Sequence, residues 1–129
     1  MLAERNAERM TEEVGRLSAK VIELLSLQLQ ENQPIYIGDS NVSHMKSRHP
    51  ADYAKYGQYI PDILSNPDYV GENPTDGSIE YVKEFQIGNE FVKVAVRLSG
   101  SGALYARSLY VLNHNRVVNF IQKGTLKKV

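Results

Sequence analysis

The chain has 129 residues, 15 Lys/Arg against 15 Asp/Glu, and no cysteine. That length fits one domain with a core of its own, and the missing thiols exclude disulfides and thiolate metal sites. No apolar run approaches a membrane span, and the opening Met1-Leu-Ala-Glu-Arg-Asn6 lacks the apolar stretch of a secretory signal. The expectation is a soluble cytoplasmic protein, or one delivered into a target-cell cytoplasm.

Ala3, Ala7, Met10, Val14, Leu17, Val21, Leu24 and Gln28 recur at alternating three- and four-residue steps. This heptad seam predicts one helix over residues 2–31. It serves either to pack on the rest of the domain or to connect and self-associate. A boundary falls at about residue 33, with a connector over 1–33 and the main domain over 34–129. Ile35-Tyr36-Ile37 reads as a short strand. Gly38-Asp39-Ser40 then turns the chain into a helix ending near Arg48, because Pro50 pushes His49 out of the helical region. Residues 51–65 read as helix in two pieces broken at Gly57 and Pro61. Tyr69-Val70 opens a short strand, and residues 72–77 form a polar turn.

Strands follow at 78–87, 90–98 and 103–112, joined by Gly88-Asn89 and Ser99-Gly100-Ser101-Gly102. A helix over 116–122 stops at Gly124. Helices first and a meander afterwards is an α+β pattern: N-terminal helices followed by an antiparallel, roughly four-stranded sheet. In strand 90–98, Val92, Val94, Val96 and Leu98 point one way, so Lys93 and Arg97 belong on an open face. In strand 103–112, Tyr105 and Arg107 share one face and Ser108 and Tyr110 the other. Either face serves as the buried one.

The zero net charge hides a polarised chain. Residues 59–90 carry one Lys/Arg and seven Asp/Glu, whereas residues 91–129 carry seven Lys/Arg and no acid. Two readings are open: the blocks pair with each other in the fold, or the basic block meets an anionic partner. The segment Ser43-His-Met-Lys-Ser-Arg-His-Pro50 puts two histidines and two cations on one short helix. His44 shares a helix face with Arg48, and an imidazole moves protons near neutral pH. Lys46, Arg48 and His49 also suit a helix C-terminus without any ligand. Arg97, Arg107, Lys93 and Lys123 are candidate phosphate contacts, with Thr125, Lys127 and Lys128 as a basic tail that either adds to them or frays. Tyr53, Tyr56 and Tyr59 form a stripe suited to core packing or to base stacking. The three histidines lack ligand spacing and an acidic neighbour, so no metal site is expected.

The string Ile35-Tyr-Ile-Gly-Asp-Ser-Asn-Val-Ser-His-Met-Lys-Ser-Arg-His-Pro50 resembles phage-associated nuclease domains of the barnase–EndoU–colicin–RelE (BECR) superfamily. So do Asp76-Gly-Ser-Ile-Glu-Tyr-Val-Lys-Glu-Phe85, Val92-Lys-Val-Ala-Val-Arg97 and Ala106-Arg-Ser-Leu-Tyr-Val-Leu112. The resemblance covers residues 34–129. It implies metal-independent endoribonuclease activity, without a cofactor, in a toxin or phage-borne effector. It carries site roles to His44, His49, Arg97, Arg107 and Ser108, and the end at Lys123-Gly124-Thr125. RNA is then the substrate, and Lys46, Arg48, Lys93, Lys123 and Thr125 are its phosphate contacts. An acidic immunity or antitoxin protein is an expected partner. Glu80, Tyr110 and His49 are alternatives for the second proton-transfer group. The rival reading is a non-catalytic interaction module of a phage or toxin assembly that binds RNA or an acidic partner. It would use the seam for self-association.

Overall fold

The computed structural model describes residues 11–129. Its elements in chain order are β1 (Thr11–Arg16), α1 (Ala19–Leu25), β2 (Pro34–Gly38), α2 (Asp39–Arg48), α3 (Pro50–Tyr56) and α4 (Ile60–Ser65). They continue with β3 (Tyr69–Glu72), β4 (Ile79–Phe85), β5 (Glu90–Leu98), β6 (Leu104–Leu112), α5 (His114–Lys123) and β7 (Leu126–Lys128). The class is α+β, as expected, but the sheet has seven strands in the order β1-β2-β6-β5-β4-β3-β7. All neighbours are antiparallel except β2 and β6, which are parallel. The expected four-stranded antiparallel sheet is therefore corrected to a mixed sheet with three further strands.

The largest correction concerns the helix expected over 2–31. Residues 2–10 lie outside the described residues. From Thr11 on, the chain is strand β1, paired antiparallel with β2, then a loop, then the two-turn helix α1. Two of the seam residues, Leu17 and Val21, are buried, but the spacing of the seam did not decide the backbone. Gly15 sits in β1 where a Cβ would stand 3.1 Å from Leu64 Cβ, so the strand packs tightly on α4. Ser18 caps α1, its side chain accepting from the Val21 N–H at 3.2 Å. From residue 11 onward the seam has no continuous helix to run on, and self-association through it loses its basis there. The family of strands thus begins inside the segment expected to be a separate connector. Of the expected N-terminal helices, those after β2 are present as α2, α3 and α4, whereas from Thr11 on the first gives way to one strand and one short helix.

Elsewhere the elements fall close to their expected places, and the turn chemistry explains why. Asn113 caps α5 through the Asn115 and Arg116 N–H groups. Gly124 ends it in the left-handed region, φ 79°. The basic tail does not fray: β7 adds to β3, allowed by Gly71, whose missing Cβ would meet the Thr125 carbonyl oxygen at 2.5 Å.

One sheet face carries the main core, with Val92, Val94 and Val96 of β5, Leu104, Ala106 and Leu109 of β6, and Ile79 and Tyr81 of β4. Met45 of α2, Ile63 and Leu64 of α4, and Val21 of α1 pack into it. The opposite face is wet only in its middle. At one end α5 covers it, and Val82, Phe91, Val117 and Leu126 make a second, smaller core. Among the described residues, the outer edge of β6 past Tyr105 pairs with no strand, and α2 and α3 flank it instead. The Asp52 carboxylate of α3 accepts the Val111 N–H at 3.0 Å, satisfying a ladder donor that would otherwise face a helix. Among the described residues no helix is long and apolar enough to cross a membrane.

Deleting residues 1–31 tests this architecture. It removes β1 together with Leu17 and Val21, each buried residue being worth roughly 1.5–3 kcal/mol. The expected outcome is loss of a cooperative thermal transition. A truncated chain that melts like the full chain would show that β1 and α1 are an appendage.

Candidate active site

The middle of the wet face is a cleft of about 330 Å³ lined by residues of four elements and one turn. β5 supplies Lys93, Ala95 and Arg97, β6 supplies Arg107, Ser108 and Tyr110, and β4 supplies Glu80. His44 reaches in from α2, and the turn between β3 and β4 contributes Asn73, Asp76 and Ser78. Strand register explains the convergence. Glu80 pairs with Ala95, Ala95 with Ser108, and Lys93 with Tyr110, so these residues share a face.

A β-bulge makes this possible on β6. Ala95 opposes Ser108 while Val96 opposes Ala106, which leaves Arg107 as the extra residue. Strict alternation would set Tyr105 and Tyr110 on opposite faces. The bulge resets it, so that Tyr105, opposite Arg97, shares the wet face with Ser108 and Tyr110. The two-face reading of this strand is corrected by that one inserted residue.

The electrostatics are unequal across the cleft. Lys93 Nζ bonds Glu80 Oε2 at 3.0 Å with both side chains little exposed, 11% and 13%. The same oxygen accepts from Asn73 Nδ2 at 3.1 Å, and the Lys93 ammonium lies 4.8 Å from the Tyr110 ring centre. Burial pulls the Lys93 pKa down, but the Tyr110 hydroxyl and the Glu80 carboxylate outweigh it and hold the group above its ordinary value. Asp76 accepts from the Ser78 hydroxyl at 2.6 Å and from the Ser78 N–H at 2.9 Å. These bonds, aided by Arg97 and Lys93, hold its carboxyl below the usual range. Arg97 and Arg107 are exposed. Among the described residues neither has a carboxylate partner within ion-pair distance. The acidic and basic blocks of the sequence thus meet in one ion pair here, Lys93–Glu80, while both arginines stand at the surface of the cleft.

Of the expected site residues, His44, Arg97, Arg107 and Ser108 share this cleft, with Lys93 beside them. His49 and Arg48 do not line it. They flank a neighbouring hollow that His44, Ser108 and Tyr110 also line, and His49 stacks on the Tyr110 ring at 4.8 Å. Lys123 and Thr125 line a third hollow, which shares Lys93 and Tyr110 with the main cleft. Lys46 lines none of these hollows, and its ammonium lies 5.7 Å from the Tyr53 ring. The tyrosine stripe is structural in part: Tyr56 is buried and donates to Glu90. Asn73 and Asp76 were not foreseen as site residues. Their turn looked like a polar connection, and only the β4–β5 register brings it beside Arg97.

The model of one protein family matches residues 12–119, described as phage-Barnase-EndoU-ColicinE5/D-RelE like nuclease3. The chain belongs to that nuclease family. The match begins in β1 and therefore takes in most of the segment that the sequence had set apart. No curated protein and no solved structure matches the chain. For a nuclease family, a concave surface that brings a histidine and two exposed arginines together on the open sheet face is the default candidate for the active site.

The depressed Asp76 pKa carries a pH prediction. A carboxyl held low in the fold contributes stability above its unfolded value near 4, and that contribution fades as pH falls through the folded value. Asp76→Asn should therefore lower the melting temperature at neutral pH and flatten the acid limb of the stability curve, so that variant and wild type converge at low pH. An unaltered acid limb would place the acid sensitivity elsewhere.

Proposed function

We propose that the protein is a metal-independent endoribonuclease that cleaves RNA by attack of the ribose 2′-hydroxyl on the adjacent phosphorus. The observation that carries this is the convergence of His44, Lys93, Arg97, Arg107, Ser108 and Tyr110 on one cleft. Its two carboxylates are already committed, Asp76 to Ser78 and Glu80 to Lys93 and Asn73. With its negative groups engaged and its two arginines facing outward, the cleft is suited to receive phosphate. The nucleophile then comes from the substrate itself, and RNA supplies it.

His44 takes the 2′-hydroxyl proton. The 2′-oxygen forms a bond to phosphorus and the bond to the 5′-oxygen breaks, leaving a 2′,3′-cyclic phosphate. Tyr110, on the same cleft and in contact with Lys93, protonates the departing oxygen; among the alternatives, Glu80 is tied to Lys93 and His49 lies behind the Tyr110 ring. Arg97 and Arg107 hold the phosphoryl oxygens, where charge builds in the transition state. Lys123 and Thr125 extend the track for the RNA backbone, and Arg48 flanks His44. DNA lacks the 2′-hydroxyl and survives. The family's phage association supports a role as toxin or phage-borne effector in a target-cell cytoplasm, held in check by an acidic immunity or antitoxin protein over Arg97 and Arg107. The rival reading, a non-catalytic assembly module, drew on a long N-terminal helix that is absent from residue 11 onward.

Purified protein should cut total RNA in excess EDTA and leave cyclic-phosphate ends. His44→Ala should lower the rate by roughly 10²–10⁴-fold with the fold retained. Loss of cleavage in EDTA, or a fall under threefold in the variant, would overturn the mechanism. Separately, Arg97→Ala should weaken RNA binding and reduce the slope of log affinity against log salt by about one contact; an unchanged slope would remove Arg97 from the phosphate track.

A further inference from the structure

The wet face carries an aromatic pair that the proposed chemistry does not use. Arg97 stands opposite Tyr105 across β5 and β6, and Tyr105 stands beside Tyr36 across the parallel β6–β2 ladder. All three therefore share a face. The tyrosine ring centres are 6.0 Å apart with planes inclined by 43°. Both residues are half-buried, and neither belongs to either apolar core. Along β2 the neighbours Ile35 and Ile37 are the ones turned into the main core.

Tyr105 and Arg107 also wall a hollow of about 490 Å³, closed by Thr11, Asp39 and Ser40. Arg107 lines this hollow and the His44 cleft alike. The two depressions therefore adjoin at a single guanidinium. Along β5, Arg97 is two residues from Ala95, roughly 7 Å by the strand rise, so Tyr105 lies about one nucleotide's reach from the centre of the cleft.

We infer that Tyr105, backed by Tyr36, is a stacking platform for an unpaired nucleobase next to the phosphate held by Arg97 and Arg107. The identity of the ligand as RNA rests on the ribonuclease reading, whereas the platform rests on the aromatic pair and its hollow. A base can lie on Tyr105 only with its face exposed, so the substrate class is single-stranded RNA or a loop, not a duplex. Asp39 and Ser40 face the edge of the seated base with an acceptor and a hydroxyl. Arg107, on the bulge, binds the phosphate that links the seated base to the reacting ribose.

The test uses the full chain and a fluorescent 2′-O-methyl oligoribonucleotide, which binds as RNA but lacks the attacking hydroxyl. Affinity is read by anisotropy for single strand and duplex. Tyr105→Ala should weaken single-strand binding on the order of 5- to 150-fold, and Tyr105→Phe should retain it. Tyr105→Leu, which keeps apolar bulk without a π face, should lose affinity like Tyr105→Ala with an unchanged melting temperature. In the wild type, an abasic substitution at one position should reproduce the loss, and the same substitution should cost Tyr105→Ala nothing further. Equal single-strand affinity for wild type and a folded Tyr105→Leu, or duplex binding as tight as single-strand binding, would overturn the platform. Because no cleavage is read, Tyr105-dependent binding alongside intact total RNA would sink the ribonuclease mechanism and leave the platform standing.

Discussion

The site depends on a two-residue parallel ladder. Ile35 and Tyr36 of β2 pair with Leu104 and Tyr105 of β6, and there the pairing stops. The chain leaves the sheet at Gly38, enters α2, and runs along the edge that β6 leaves open. Had β2 continued, a strand would occupy that edge, and no helix residue would reach the wet face beside Ser108. The short ladder brings His44 round the edge of the sheet, and Met45, the next residue, anchors the helix in the main core. The Asp52 bond to Val111 completes the substitution of helix for strand. An edge closed by side chains and helices in place of a ladder is a cost in backbone pairing that the site turns to use.

A second constraint acts from within β6. The bulge at Arg107 is a local defect in the ladder, yet it rotates three residues of one strand onto a common face and turns a guanidinium out between two hollows. The Lys93–Glu80 pair works the other way. It holds the Lys93 ammonium between the Glu80 carboxylate and the Tyr110 ring, so the exposed Arg97 and Arg107 dominate the field at the surface. A buried ion pair of this kind does more for placement than for stability.

What the sequence revealed follows the range of the forces involved. The alternation in β5, the stop at Gly124 and the break at His49-Pro50 are local, and each appeared where its chemistry placed it, whereas the Asn113 cap was passed over and α5 begins at His114, ahead of the expected Arg116. β1 was misread because Val14, Leu17, Val21 and Leu24 satisfy a heptad as well as they satisfy a strand, a loop and a short helix. Gly15, costly inside a helix, and Ser18, a natural N-cap, were the contrary local signals. β7 and the β2–β6 ladder are long-range pairings with no signature in their own residues. His44, Arg97, Arg107 and Ser108 were legible as a group from residue type and resemblance. Their union with Asn73 and Asp76 was not, because it follows from the register of β4 on β5 and from a turn that looked merely polar.

The two outer strands of the sheet differ from its interior in a way that bears on self-recognition. β7 is three residues long and ends in Lys127 and Lys128, and β1 is interrupted by an irregularity between Glu13 and Gly15 with charged residues on either side. A short, cationic margin and a broken, charged one are both poor templates for an incoming strand. A sheet of seven strands that exposed long regular margins would invite copies of itself to add on. Here the margins discourage such growth, and even a concentrated solution of the protein is kept from seeding fibrils through this sheet.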